Sequence, residues 1–532
     1  MPLEDDAELQ ELERLEADAG AAAVGRAGDV STLARRSLLN FAGGVAFGFL
    51  SFLWLVVVTR GWGAARSGVL LEAVAFFTIA SSLVVLGSEE SVVRAVSRGR
   101  SMEATSSTRH ILLVALVPIL LASVAVAAVV WVTAPELARW FGGAADQEEL
   151  STYVRIFAPA LPFAAMYYAI LAATRGFGTM VPTVTIERVG RTLAQVVLAG
   201  LVIALGRGVP AMALAWATPF AVGMVFAAIQ LRRLIRNDDR TRPRPSDLPP
   251  LSATAGEFWR FSGFRGLASI FQVTSLWVDT LLVGALVSAS GAAIYTTSSR
   301  TVRLGSVVLL ALIQAMAPQI SELFARRETK RAEHVYRTST WWTMTLTWPL
   351  YLTLALFAPV LLRIFGHSFA TGAEVVVTMS AAMLVSTAIG PVDMVLLMGG
   401  KSGWNLINTV VSLVADIALI LILVPHLGIE GAAIAWATSV VLNNVMPWME
   451  VKLLLGVTPF AAPGLIPALT AVASFGVLGL VARLSLGATL PALVIALAAG
   501  TPVYVLLLRR FGRQLEFDSL FSTLRPGVRG AA

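Results

Sequence analysis

The stretch GVPAMALAWAT, residues 208–218, returns as GIEGAAIAWAT at 428–438, 220 positions later. A looser echo sits nearer the start of each half: ARSGVLLEA (65–73) and ASGAAIYTT (289–297), whose shared Ser-Gly is offset by 223. Two echoes at nearly one offset predict a duplication, with residues 37–231 and 257–452 forming two lobes of the same orientation. Parallel repeats of this kind mark transporters that hold their substrate between the halves. Chance similarity between Ala/Gly-rich helix starts is the competing reading. The shared Ala-Trp-Ala-Thr and the near-constant offset weigh against it.

The repeated material is strongly apolar. The 532 residues are 57% hydrophobic and only 14% charged, with mean hydropathy +0.77. Soluble chains carry about 25% charged residues, so this composition cannot make a solvent-covered surface. Apolar runs fall at 37–58, 69–88, 110–133, 152–173, 182–205, 211–231, 258–283, 292–317, 340–362, 374–397, 404–424, 430–451, 463–483 and 489–508. Each approaches the ~20 residues that a helix needs to cross a bilayer core. The expected fold is all-α, a polytopic membrane protein of fourteen spans. Two six-helix lobes surround a central cavity, and 453–508 add two further helices. A soluble enzyme, a fibre and a disordered chain are excluded.

Charge orients the chain. Residues 1–30 hold nine acids and two arginines, an acidic start unlike a signal peptide; 1–36 is expected to be a cytoplasmic tail. With the N-terminus inside, twenty-seven Lys and Arg fall in inside segments and six (Arg60, Arg66, Arg139, Arg207, Arg363, Arg483) outside. That bias predicts both termini in the cytoplasm and a plasma (inner) membrane location. The Pro- and Arg-rich segment 232–256 reads as a flexible linker between lobes, and 509–532 as a cytoplasmic tail.

Cofactor chemistry finds no footing. There is no cysteine, the four histidines are scattered, and no metal-ligand spacing occurs. Gly399–Ser402 imitates the end of a phosphate loop, but Val395 stands where its first glycine belongs. No cofactor, no metal and no nucleic-acid partner are expected.

Ionisable residues inside spans are costly and mark function by default. Arg188 and Arg191 lie three apart on one run, and Arg300 and Arg303 repeat that spacing in the other lobe. Such pairs share a helix face. Arg265, Gln272 and Asp279, seven apart, form a polar stripe. Glu187 can pair with Arg191, and Arg155 and Arg260 lie near enough to span ends to reach the interface. The remaining acids of the second lobe, Asp393 and Asp416, can pair with an arginine or carry an ion. Guanidinium grips phosphate through two parallel hydrogen bonds, so an arginine-lined cavity predicts an anionic ligand.

Longer stretches carry a resemblance. TRGWGAARSGVLLEAVAFFTIASSLVVLGSEESVVRAVSRGR (59–100), WVDTLLVGALVSASGAAIYTTSSRTVRLG (277–305) and LGIEGAAIAWAT (427–438) resemble the multidrug/oligosaccharidyl-lipid/polysaccharide (MOP) exporter superfamily. Within it they look like the polysaccharide transporter branch of Wzx-type lipid-linked oligosaccharide flippases, over about residues 35–510. The resemblance implies two lobes in a V around a cationic cavity. It further implies alternating access that moves a polyprenyl-pyrophosphate-linked oligosaccharide from the inner to the outer leaflet. Arg188, Arg191, Arg265, Arg300, Arg303 and Gln272 would bind it, and Asp279, Asp393 or Asp416 would couple an ion, H+ or Na+. Polysaccharide polymerase and glycosyltransferases would be its protein partners. The first run, 37–58, carries no charge. That favours an O-antigen, capsule or other surface-glycan role over a peptidoglycan precursor. A drug or metabolite exporter of the same superfamily, a non-transporting scaffold and a membrane glycosyltransferase are the alternatives.

Overall fold

A computed structural model describes residues 5–85, 87–101, 108–143, 146–241, 250–511 and 515. Within these, the side chains of 5–38, of Arg265 and of some neighbours in 264–268 and 307–315 lie outside the described set. Among the described residues every regular element is helical. The first lobe comprises α1 (Asp5–Val85), α2 (Ser88–Ser101), α3 (Thr108–Phe141), α4 (Gln147–Phe157), α5 (Ala160–Gly176), a π-helical segment Thr183–Arg191 running into α6 (Thr192–Ala204), and α7 (Val209–Thr241). The second comprises α8 (Leu251–Leu286), α9 (Ala289–Arg303), α10 (Ser306–Ala325), α11 (Thr329–Leu362), α12 (Ala373–Ile389), α13 (Val392–Met398), α14 (Ser402–Leu427) and α15 (Ile429–Glu450). Helices α16 (Leu465–Ala471), α17 (Leu478–Leu486) and α18 (Leu490–Phe511) follow, and Tyr504 of α18 donates to the Thr345 carbonyl of α11 at 2.7 Å.

All fourteen apolar runs lie on helices, but they are not equally apolar. Among the described residues, nine helices are long and apolar enough to cross a membrane, or ten if α4 and α5, bent by 48°, act as one span. The first two runs share one continuous stretch, Leu39–Arg100. Three runs fall short, and each is a polar one. Residues 182–205 carry Glu187, Arg188 and Arg191. Residues 292–317 break at Leu304–Gly305 just after Arg303, and 430–451 carry Asn443, Asn444 and Glu450. The helical interruptions have local causes. Gly63, at φ 72° and ψ −179°, kinks α1, and Gly390 at φ 77° with Pro391 separates α12 from α13. Both are left-handed positions where a glycine carries no Cβ penalty.

The expected linker is shorter than 232–256. Helix α7 continues to Thr241 and α8 starts at Leu251, while 242–249 lie outside the described residues. Burial of hydroxyls is settled locally. Thr340, Thr343, Thr345 and Thr347 on α11 each donate to the carbonyl four residues back at 2.8–2.9 Å, which satisfies these four hydroxyls within their own helix. An aromatic cluster of Phe77, Phe157, Trp216 and Phe220 holds α1, α4 and α7 together, with ring centroids 4.7–5.7 Å apart.

The lobes touch along one end and part at the other. Gly68 of α1 lies so close to the Ala289 carbonyl of α9 that any Cβ would strike backbone. At the same end Arg60 Nε donates to the Ile364 carbonyl at 2.7 Å, and Phe52 meets Phe365 edge-on at 5.1 Å. The opposite end, near the start of α8, opens into a wide cavity.

Candidate substrate cavity between the lobes

That cavity measures about 1440 Å³. Arg94 and Arg98 of α2, Glu257, Arg260 and Gln272 of α8, and Asp393 of α13 line it. The Arg94 guanidinium lies 4.2 Å over the Phe261 ring, and Arg98 pairs with Glu257 at 2.7 Å across the lobes. A second cavity of about 320 Å³ lies beside it and holds Arg191 of the first lobe and Arg300 of the second. Trp54, Trp216, Phe220 and Trp277 surround these two cations.

Helix α8 is the wall between the cavities. Ser269, Val273 and Trp277 face the smaller one, at successive i,i+4 positions, whereas Gln272, Ser275 and Leu276 face the larger. Rotation or displacement of this one helix would therefore change the access of both arginines to the wide cavity.

The five expected arginines do not share one surface. Arg191 lies 4.9 Å over the Phe220 ring and donates to Gln195 Oε1 at 3.1 Å; Gln195 in turn donates to the Trp216 carbonyl at 2.9 Å. Arg300 lies 4.4 Å over Trp277. Each thus has an aromatic face beneath it and donors left for a ligand. Arg188 departs from the expectation. Its Nη1 donates to the Asn40 carbonyl of α1 at 2.5 Å, and it lines neither cavity. The cause is the π-helical segment Thr183–Arg191. Its wider i→i+5 turn rotates residues three apart away from the common face that an α-helix would give them. Arg303 is also elsewhere, 5.8 Å over Trp436 and within Coulombic reach of Asp279 and Asp416. The side chain of Arg265 lies outside the described residues.

The acids divide in the same way. Asp393 lines the wide cavity, with one oxygen accepting from Asn443 Nδ2 at 3.3 Å and the other without a partner among the described residues. Asp279 and Asp416 are buried, 2% and 1% exposed, and lie within hydrogen-bonding reach of each other. Tyr295 donates to Asp279 Oδ2 at 2.8 Å. This second-lobe group of two carboxylates, a phenol and a guanidinium is separate from both cavities. The expected stripe on α8 is therefore split, with Gln272 at the wide cavity and Asp279 in the lobe interior. No group of three or more His, Cys, Asp or Glu able to hold a metal occurs among the described residues.

Sequence reasoning passed over several contributors. Arg94 and Arg98 were counted as inside-segment charges and Arg260 as an interface residue, yet all three line the wide cavity. Glu72 was not singled out. It is fully buried on α1, its carboxylate packs against Gly284 of the opposing lobe, and neither oxygen has a partner in the described structure. The cost of charge inside a span was the signal that could have found it.

Comparison with known proteins agrees with this architecture. Residues 33–324 match the polysaccharide biosynthesis protein family, and 266–425 match the MatE family. Over 198 residues the chain is 24% identical to the "Probable low-salt glycan biosynthesis flippase Agl15" of Haloferax volcanii. That match covers 37% of this chain and spans 42%, less than half, of the relative's length. Among solved structures, the lipid II flippase MurJ in its inward closed conformation superposes with TM-score 0.69 at 13% identity, over 90% of this chain and 99% of MurJ. An inward-facing multidrug resistance MATE transporter of the MOP superfamily superposes at 0.62 and 16% identity, covering 79% and 94%. The outward-facing conformation of a MATE transporter superposes at 0.53. The fold is thus that of a multi-pass membrane transporter, with its lobes closed at one end. With more than half of its length matched, the chain belongs to the polysaccharide biosynthesis protein family, a polysaccharide-transporter branch of the MOP superfamily.

Proposed function

We propose that the protein is a flippase that carries a polyprenyl-pyrophosphate-linked oligosaccharide from the inner to the outer leaflet by alternating access, in the synthesis of a surface polysaccharide. One observation carries the reading. Arg191 and Arg300, one from each lobe, face a single aromatic-walled cavity beside a much larger one. Two guanidiniums brought together by both lobes suit a pyrophosphate, and rocking of the lobes would change their separation. The wide cavity has room for the glycan, and its Arg94, Arg98 and Arg260 favour an anionic species entering from that end. The relatedness to Agl15 and the MurJ-like fold support the same reading.

On this reading the chain crosses the plasma (inner) membrane fourteen times with both termini in the cytoplasm. The wide cavity, which borders the Arg-rich inside segments, then opens inward. No covalent step is required of it. Coupling to H+ or Na+ falls to Asp393 or to the Asp279–Asp416 pair, which lies beside the cation of Arg303. Polysaccharide polymerase and glycosyltransferases are the expected protein partners.

The test is flipping in proteoliposomes of a fluorescent polyprenyl-pyrophosphate oligosaccharide, with a cationic dye alongside. Glycolipid flipping without dye transport is the expected result. Dye transport alone points to the drug-exporter alternative, and transport of neither removes the flippase reading for that glycan.

A further inference from the structure

The closed end of the molecule holds a third cavity, of about 550 Å³, that neither the duplication nor the substrate path accounts for. It straddles the lobes. Thr59, Arg60 and Gly63 come from the end of the first half of α1, and Arg363, His367 and Ser368 from the connection between α11 and α12. Its size falls within the ~300–1,000 Å³ range of small-ligand sites.

Its chemistry is one-sided. Two guanidiniums and an imidazole line it, and no carboxylate does. Arg60 spends Nε on the Ile364 carbonyl at 2.7 Å, which orients the group and leaves its two terminal nitrogens without protein acceptors among the described residues. The Arg363 side chain has no hydrogen bond or ion pair among the described residues. Both guanidiniums are exposed, so water screens their mutual repulsion, but with no acid among the lining residues the site carries net positive charge that favours an anion. Paired guanidiniums match a phosphate group in geometry as well as charge.

The position adds a consequence. The contacts that bring the two halves of this site together are the contacts that close this end: Arg60 with Ile364, Phe52 with Phe365, and Gly68 against Ala289. Parting the lobes there would separate Arg60 from Arg363 and dismantle the cavity. We infer that this cavity is an anion site for a phosphate-class group, assembled only while this end is closed, and that its occupant holds the transporter in that state. Linkage makes the effect reciprocal: whatever binds only the closed state stabilises it. The occupant is a lipid phosphodiester headgroup of the facing leaflet or a phosphate or pyrophosphate group in solution. The inference deepens the alternating-access reading, but its readout is conformation, which can respond whether or not the chain moves glycolipid.

The chain has no cysteine, so the Leu205→Cys and Leu427→Cys pair, exposed at the ends of α6 and α14, gives two spin labels across the closing end. Distances are measured by pulsed electron resonance on the full chain in nanodiscs. One arm adds inorganic pyrophosphate to zwitterionic discs, and the other replaces a share of the lipid by phosphatidylglycerol. An increase of about fivefold or more in the closed-to-open ratio is expected in at least one arm and is lost in Arg363→Gln. Arg363 makes no contact that holds the fold, so this variant should fold and insert. A response to pyrophosphate alone assigns a soluble group; a response to phosphatidylglycerol alone assigns the lipid. No shift in either arm, or a shift that persists in Arg363→Gln, overturns the inference. Loss of flipping with the conformational response intact would instead count against the proposed function.

Discussion

Trp216 and Trp436 occupy the same place in the repeat, 220 residues apart, and both are buried, yet the arginines beside them differ in surroundings. In the first lobe, Arg191 shares a cavity with Trp216, is linked to its carbonyl through Gln195, and looks out between the lobes. In the second lobe, Arg303 lies over Trp436 and is enclosed with Asp279, Asp416 and Tyr295. The residue that faces the cavity there is Arg300, nearly one turn earlier. The repeat supplied each lobe with the tryptophan, whereas Arg191 and Arg303 stand at non-equivalent positions, since Val411 and Leu83 occupy the places 220 residues away from them. Neighbouring side chains then decided which cation meets a ligand and which compensates buried carboxylates.

That contrast can be broken most severely at the cavity pair. Replacing Arg191 and Arg300 together by alanine is expected to lower glycolipid flipping by about a hundredfold or more, since each charge-assisted contact is worth about 1.5–3 kcal/mol. Insertion and folding should be unchanged; initial flipping rates in proteoliposomes check the first claim, and the size-exclusion profile and thermal melting of the purified variant check the second. Normal rates in that variant would falsify the cavity assignment.

The next effect concerns the closing surface that both lobes share. Gly68→Val puts a side chain into the Ala289 carbonyl, an overpacking that costs about 1–3 kcal/mol. Only the closed state bears it, so the spin-label distance across that end should lengthen. An unchanged distance would show that α1 and α9 can separate there without opening the end.

The enclosed second-lobe group gives a subtler test. Asp416→Asn removes one carboxylate from the Asp279–Arg303 group while keeping its shape. Gradient-driven flipping is expected to fall about fivefold or more, with gradient-free exchange retained. A loss of both would place Asp416 in binding rather than coupling.

Arg188→Gln should do least. Its guanidinium is tied to the Asn40 carbonyl, away from the cavities. Flipping is expected within about twofold of the parent, the ~0.5 kcal/mol scatter of changes remote from a working contact. A large loss would return Arg188 to the substrate path and restore the equivalence of the paired arginines.

Much of this protein was legible before its structure. Composition excluded a soluble chain, the repeats pointed to two related lobes, and the cost of intramembrane charge pointed to Arg191 and Arg300, which line one cavity. These readings work because they rest on local facts: apolar length, spacing along one helix and the type of side chain. The expectation that Arg188 would accompany Arg191 failed because helical phase is assumed in such spacing, and a π-helical turn changes it. Fourteen spans were expected, and the three runs that fall short carry polar groups among their apolar ones; of these, Arg191 and Asn443 line cavities and Glu450 accepts from Asn408 of α14.

The amino-acid sequence by itself determined that the chain is helical, membrane-spanning and supplied with arginines suited to an anion. Only the tertiary structure decided that Arg191 and Arg300 line one cavity from the two lobes, that Asp279 and Asp416 come together, that Glu72 lies against Gly284, and that α8 divides two cavities. The reason is geometric. A helix's sequence specifies what its faces carry, but its rotation and approach are set by the helices packed against it, and those partners lie hundreds of residues away.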